Sequence, residues 1–359
     1  MPRIALIPGD GIGTEVVPQA RRVLEAVARA EGLDFQLAEW DLGAERYLRD
    51  GVTITEDELT SLAEDHDAIL LGALGDPRIP GDEHTRDILH GLRARLDLYV
   101  SFRPCVLLAP ELCPLKRFKV PVRLEIFREN TEGTSVGMGG VFKKGTPHEV
   151  AVEEDVNTRR GVERIVRAAF DFARAKGRSR VTLVDKADTM RHAGDLWRRA
   201  FAEVGAEFPE LERDAVHADA MAADLVRRPE RYAVIVTSNL FGDIVGDLAA
   251  ELTGGLGLAP SADIHPGRYA MFGPVHGSAP DIAGTGRANP FGAVRCVGLL
   301  LDHFGHAAAG ERVERVVAAA IAQGKTTPDM GGSFSTEIVG AWLAERVAGD
   351  AAEETGTRT

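Results

Sequence analysis

Short apolar runs alternate with helix-periodic stretches along most of the chain. "RIALIP" at 3–8, "AILLG" at 68–72, "RVTLVD" at 180–185 and "AVIVTS" at 233–238 read as buried strands. Between them Val16, Ala20, Val23, Leu24 and Val27 recur every three or four residues, as do Val162, Ile165, Val166, Ala169 and Phe170. Each set makes one apolar helix face. Strands and helices in alternation predict an α/β fold, a parallel or mixed sheet covered by helices, because parallel strands need crossover connections. Residues 133–154, "GTSVGMGGVFKKGTPHEVAVEE", break the pattern: glycine-rich, then alternating without helical period, they predict an extended hairpin or arm near 133–155. The polar tail after Gly349 reads as frayed.

At 359 residues the chain can bury a large core and hold two domains, or two lobes woven from one chain. A hydrophobic share of 44% with 27% charged residues fits a globular protein rather than a disordered one. The net charge of -13 disfavours nucleic acid and anionic lipid as partners, so an anionic ligand must be met by a local basic cluster. Cys105, Cys113 and Cys296 are too few and too scattered for a zinc site or a disulfide framework and suggest reduced thiols in a cytoplasmic protein. No leader-type segment and no run of 18 apolar residues occurs, so secretion and membrane spanning are not expected.

Several stretches carry candidate chemistry. "IPGDGIGTEV" runs from an apolar strand into a helix, but Gly9, Gly11 and Gly13 give G-x-G-x-G rather than G-x-G-x-x-G, and both a dinucleotide loop and a plain tight turn stay open. In "NLFGDIVGDLAAELTG", Asp243 and Asp247 stand four apart, which on a helix puts both carboxylates on one face, suited to a magnesium or manganese ion or to plain solvation. Asp219 in "HADAMAADLV" completes such a site only if folding or dimerisation brings it near. Arg93, Arg103 and Arg128 sit beside apolar segments, where guanidinium groups could bind a polycarboxylate bidentately, and Lys186 follows a strand, where a lysine could act as a base. "GPVHGSAPDIAGTGRANP", 273–290, is a long loop able to hold a nucleotide or to be a surface loop.

Taken in order, "IPGDGIGTEV", "LLGALGDP", "LRARLDLYVSFRP", "RENTEG", "NTRRGVERI", "SNLFGDIVGDL", "PVHGSAPDIAG" and "TPDMGG" cover nearly the whole chain. This series resembles the β-decarboxylating 2-hydroxyacid dehydrogenases, the family of isocitrate, isopropylmalate, homoisocitrate and tartrate or D-malate dehydrogenases. "GDPRIP", "RENTEG" and "TPDMGGSFST" look most like the tartrate or D-malate branch. The resemblance implies an isopropylmalate dehydrogenase-like two-lobed fold around a long mixed sheet, not a Rossmann fold. Residues 1–99 and 250–359 would form the cofactor lobe, and 100–249 the dimerisation, metal and substrate lobe. It further implies a homodimer with shared active sites, acting on a small 2-hydroxy diacid with NAD and Mg2+ or Mn2+. Arg93, Arg103 and Arg128 would clamp the substrate, with Arg86, Leu89 and His90 facing its 3-substituent. Asp219, Asp243 and Asp247 would hold the metal, Lys186 would be the catalytic base, and Ile12, His276, Gly277, Ser278, Ala279, Asp281 and Asn289 would bind the cofactor. A carboxylate at Asp281 suits ribose hydroxyls and repels a 2'-phosphate, which predicts NAD over NADP.

The chain departs from the family pattern at informative positions. Ser135 stands where the family has the tyrosine that donates a proton to carbon 3, and a serine hydroxyl is a far weaker acid than a phenol. Asp188 replaces an asparagine after the lysine, and Gly273 replaces a glutamate before "PVHG". Isopropylmalate enzymes put leucines in the segment before Arg93, whereas "HTRDILHGLR" places Arg86, Asp87 and His90 beside Leu89, which favours a polar or anionic substituent. The expected function is NAD- and metal-dependent oxidative decarboxylation of a 3-substituted malate or tartrate-like acid. The alternatives are a dehydrogenase for a larger or phosphonate-bearing malate analogue, a 3-isopropylmalate dehydrogenase, or a non-catalytic regulatory partner.

Overall fold

The computed structural model describes residues 1–81, 83–115 and 121–356. In chain order the strands are β1 (Arg3–Gly9), β2 (Gln36–Glu39), β3 (Ala68–Ala73), β4 (Val100–Val106), β5 (Arg123–Glu129) and β6 (Gly139–Phe142). Then come β7 (Val150–Glu153), β8 (Arg180–Asp185), β9 (Glu212–His217), β10 (Val234–Thr237), β11 (Pro260–His265) and β12 (Tyr269–Pro274). All four sequence-predicted strands are present, and the fold is α/β with a large mixed sheet.

The chain divides into two compact units. The first comprises Met1–Leu96, Leu108–Pro114 and Gly254–Thr359; the second comprises Asp97–Leu107 and Leu115–Thr253. In the first, the strands run in the order β2-β1-β3-β12-β11, parallel except for the antiparallel β11–β12 pair. Their helix Gly13–Glu31 buries Val16, Ala20, Val23, Leu24 and Val27 completely, the stripe expected from their spacing.

In the second unit the order is β4-β5-β10-β8-β9, with only β4–β5 antiparallel. Helix Arg159–Ala175 begins at Thr158, whose side chain accepts the Gly161 N–H, and buries Val162, Ile165, Val166, Ala169 and Phe170. Phe170 packs between Phe201 and Phe208, with ring centroids 5.3 and 5.2 Å away. β6 and β7 form a separate antiparallel ribbon in which every residue is exposed, including Val141, Phe142, Val150 and Val152.

One feature corrects the sequence reading. The tail past Gly349 belongs to helix Thr336–Gly356, tied by an Arg346–Asp350 ion pair one turn apart at 2.9 Å; helical spacing, not polarity, governs it. Residues 357–359 lie outside the described residues. All three cysteines are free and buried, and burial pushes the Cys296 thiol up to about 12, so it stays protonated and inert. Among the described residues no helix is long and apolar enough to cross a membrane.

Candidate active site

The arginine and aspartate motifs meet in the second unit. Register pairs Ser101 with Arg128, so Arg103, two residues along β4, projects from the same sheet face as Arg128. β10 runs parallel to β5 and leads directly into helix Asn239–Leu252, whose first residue donates its side-chain amide to the Glu129 carbonyl at 3.0 Å. Arg103 donates to Asp247 at 2.7 Å and to Asp243 at 3.0 Å, while Arg128 pairs with Asp243 and donates to Asn130 at 2.9 Å.

Two glycines permit this. A Cβ at Gly242 would stand 2.5 Å from Arg128 Cγ, and one at Gly246 would stand 2.9 Å from Arg103 Nη1. Each mid-helix glycine costs about 1 kcal/mol of helix propensity relative to alanine. That cost is offset because each opens a notch in which an arginine stem lies against the helix backbone. Glycine at i and i+4, each preceding its aspartate, is a sequence signal for this packing that reading the carboxylates alone misses.

The arginines are nearly buried, with side chains 11% and 6% exposed, whereas Asp243 and Asp247 are 54% and 48% exposed. Every described contact to the two aspartates uses Oδ1, which leaves each Oδ2 without a described protein partner. Two half-exposed carboxylates four residues apart on one helix suit a hard divalent cation with water and substrate oxygens completing its shell. Arg103 Nε is buried without a hydrogen-bond partner, an unmet donor beside the same carboxylates.

Asp219 is not part of that cluster. It lies in the first turn of helix Ala218–Arg227, and Lys186 donates to it at 2.8 Å and to Asp188 at 3.1 Å. Among the described residues no three His, Cys, Asp or Glu side chains stand close enough to hold a metal ion. The bonds to Asp219 and then to Asp188 raise the Lys186 pKa, and Lys186 in turn lowers both carboxyls. Asp188 Oδ1 also stands 3.2 Å from His217 Nδ1. Ser135 is exposed in the turn Thr134–Val136 and donates its hydroxyl to the Glu132 carbonyl at 2.7 Å, so its proton is engaged in the turn.

In the first unit the opening glycines serve backbone packing. Cβ atoms at Gly9, Gly11 and Gly13 would lie 2.1 Å from the Ala73 carbonyl, 2.1 Å from the Ser278 carbonyl and 2.3 Å from the Pro8 carbonyl. The Ile12 N–H, which a phosphate loop would offer to its ligand, donates instead to the Ser278 carbonyl at 2.9 Å, and the Ile12 side chain is buried. Asp10 binds the same region together: it accepts from Ala44 N at 2.6 Å and from Gly75 N at 2.8 Å, and faces His84 Nε2 at 2.9 Å. Nothing in the sequence pattern singled out this buried pair.

The 276–289 loop lies next to that turn. His276 Nδ1 donates to the Gly277 carbonyl at 3.0 Å, burial lowers its pKa, and Nε2 is left as a buried acceptor with no partner. An unmet acceptor in a glycine-rich loop fits the amino or hydroxyl groups of a nucleotide. Gly277 and Asp281 are exposed, Ser278 is buried and Ala279 has φ of 40°. Asn289 is occupied by the fold: it donates to Asp329 at 2.9 Å and accepts the Phe291 N–H that opens helix Phe291–His303. At Gly273 a Cβ would lie 2.9 Å from the Leu71 carbonyl, so a larger residue there requires the strands to shift.

Arg86–His90 forms a single π-helical turn with Ile88 buried, Leu89 half-buried and Arg86 and His90 exposed. Arg93 follows in the next helical turn and donates to the buried Asp263 at 2.8 Å.

A family model described as isocitrate/isopropylmalate dehydrogenase matches residues 3–343. The 3-isopropylmalate dehydrogenase of Thermobifida fusca is 45% identical over 349 residues, covering 96% of this chain and 98% of its own. That of Beutenbergia cavernae is 47% identical over 348 residues with the same two coverages. Among solved structures, an isocitrate dehydrogenase from Methylococcus capsulatus matches with a TM-score of 0.88 at 36% identity, covering 97% of this chain and 100% of that one.

These relatives correct the branch expected from "GDPRIP", "RENTEG" and "TPDMGGSFST", since they carry the isopropylmalate name and not the tartrate one. The geometry supplies the reason. Glu129 accepts the backbone N–H groups of Thr131 and Glu132, Asn130 donates to the Leu98 carbonyl, and Thr327 bonds Asp329. A Cβ at Gly332 would lie 1.9 Å from the Thr326 carbonyl. Much of these motifs therefore builds turns of the fold and carries little information about substrate.

Proposed function

Because the chain belongs to the isocitrate/isopropylmalate dehydrogenase family, we propose that it oxidises and decarboxylates a 3-substituted malate with NAD and Mg2+ or Mn2+, 3-isopropylmalate being the first substrate to test. The observation that carries this reading is the Arg103–Arg128–Asp243–Asp247 cluster. Two nearly buried guanidinium groups can exchange their aspartate partners for substrate carboxylates. Asp243 and Asp247 would hold the cation, with Asp219 supplied by a second copy of the chain. A bound divalent cation supplies Lewis acidity toward a 2-hydroxyl and its neighbouring carboxylate.

Lys186 would be the base that takes the proton of the substrate's 2-hydroxyl, for which it must first give up its bonds to Asp219 and Asp188, and bound NAD would supply the hydride acceptor. The resulting 2-oxo acid loses its β-carboxylate as carbon dioxide. Ser135, its hydroxyl engaged with the Glu132 carbonyl, is a poor proton donor to carbon 3 in this arrangement. Arg93 is assigned to the substrate by family resemblance alone. NADH formation with a panel of 2-hydroxy diacids, with and without Mn2+, tests the reading; no NADH with any of them sinks it.

Arg86 and His90, exposed on the turn that also carries Leu89, favour a second reading in which the 3-substituent is polar or anionic, a phosphonate among them. A malate bearing an anionic substituent that outcompetes 3-isopropylmalate in kcat/KM decides for it. The cofactor would use the His276–Asp281 loop. With Asp281 exposed there, kcat/KM for NAD is expected to exceed that for NADP by at least about tenfold, and equal values would count against this assignment.

The working form proposed is a homodimer. Met138, Val141, Phe142, Val150 and Val152 on and beside the β6–β7 ribbon are exposed apolar side chains, as are Leu240 and Ile244 on the helix that carries Asp243. The double substitution Phe142→Lys, Val152→Lys is expected to give a monomer by light scattering and to abolish NADH production. An active wild-type monomer would remove the shared-site reading.

A further inference from the structure

We propose that Glu15 is a positioning residue that holds the nucleotide loop in its binding shape. The inference rests on the reading of residues 276–289 as the cofactor loop.

That loop has little regular backbone bonding of its own. Ala279, Gly284 and Gly286 all have positive φ, at 40°, 74° and 66°, and its described internal backbone–backbone bonds are the turns Ile282 N–H to Ala279 O at 3.1 Å and Thr285 N–H to Ile282 O at 3.2 Å. A segment of this kind is held by what it meets outside itself.

The opening stretch of the chain meets it twice. The Ile12 N–H fixes the Ser278 carbonyl at 2.9 Å. One turn further, the Glu15 carboxylate accepts the Gly284 N–H on Oε1 at 2.6 Å and the Gly286 N–H on Oε2 at 2.9 Å. One carboxylate thus bridges two backbone donors, and charge-assisted bonds of this kind are about twice as strong as neutral ones. Glu15 stands in the first turn of helix Gly13–Glu31, where a negative side chain also suits the helix dipole.

Across the loop, Thr336 donates its N–H to Gly286 O at 2.8 Å and its hydroxyl to Ala288 O at 2.6 Å. The span between Ser278 and Gly284, which includes Asp281, is therefore pinned at both ends by residues of the opening turn. Both described hydrogen bonds of the Glu15 carboxylate go to backbone N–H groups, so its effect on the cofactor passes through loop geometry.

Glu15→Gln keeps size and shape but can accept only one of the two N–H groups and turns its own NH2 toward the other. NADH titrated into the full-length variant by fluorescence is expected to bind about tenfold more weakly. KM for NAD should rise in parallel, while kcat at saturating NAD and KM for the hydroxy acid stay within about twofold. Hydrogen exchange across 279–288 should speed up. A role in stability alone would lower Tm and leave the Kd for NADH in place.

A folded Glu15→Gln protein that binds NADH within about twofold of wild type overturns the proposal. Should that variant not fold, Glu15→Asp, one methylene too short to span both donors, is held to the same comparison and threshold. A wild type that binds no NADH overturns the cofactor reading itself, an outcome distinct from equal binding by wild type and variant.

Discussion

Replacing Lys186 by methionine is expected to lower kcat by about 10²–10⁴-fold, the usual contribution of a positioned general base, with little change in stability. The two halves of this expectation rest on different observations. Lys186 donates to Asp219 and Asp188, carboxylates that are 70% and 55% exposed, so water can take over its bonds when the ammonium is removed. Surface replacements of that kind fall within about 0.5 kcal/mol. The loss in rate follows because methionine matches the length of the lysine stem but cannot accept a proton. Steady-state NADH production beside a thermal melt makes the check: a folded variant with kcat within about fivefold of wild type would remove Lys186 from the chemistry.

Asp247→Asn is expected to weaken the apparent affinity for Mn2+ by at least about 100-fold, since loss of groups that merely orient metal ligands already costs 10–100-fold. The asparagine carbonyl can still accept from Arg103 Nη1, where Asp247 now accepts at 2.7 Å, so the notch at Gly246 and the arginine within it should persist. What changes is the oxygen without a described protein partner, a carboxylate Oδ2 exchanged for an amide nitrogen that cannot ligate a cation. Calorimetric Mn2+ titration and the Mn2+ dependence of NADH formation both report it. Half-saturation at the wild-type concentration would show that the cation, if any is needed, is held elsewhere.

The candidate site was partly legible in the sequence. The spacing of Asp243 and Asp247 put both on one helix face, and they lie there. That Arg103 and Arg128 share their sheet face was not legible, because it depends on the β4–β5 register. Nor was the reason for Gly242 and Gly246, since a helical glycine acquires a purpose only when its neighbour on another element is known. For the opening glycines the sequence left a dinucleotide loop and a tight turn both open. Their missing side chains make room for the carbonyls of Ala73, Ser278 and Pro8, which fits the turn. Glu15 drew no notice as one acid among 55 aspartates and glutamates.

By itself the sequence determined the alternation of strands and helices, the buried stripes such as Val16–Val27 and Val162–Phe170, and the family to which the chain belongs. These are local or ordered along the chain: side-chain periodicity follows from backbone geometry, and motifs keep their order whatever they touch. Only the tertiary structure decided which charges are partners. Arg128 finds Asp243 across 115 positions and Arg103 finds Asp247 across 144, while Asp219 joins Lys186 rather than the other two aspartates. Glu15 reaches Gly284 across 269. Hydrogen bonds and ion pairs act over about 3 Å, and no local pattern specifies which distant backbone will be packed within that reach.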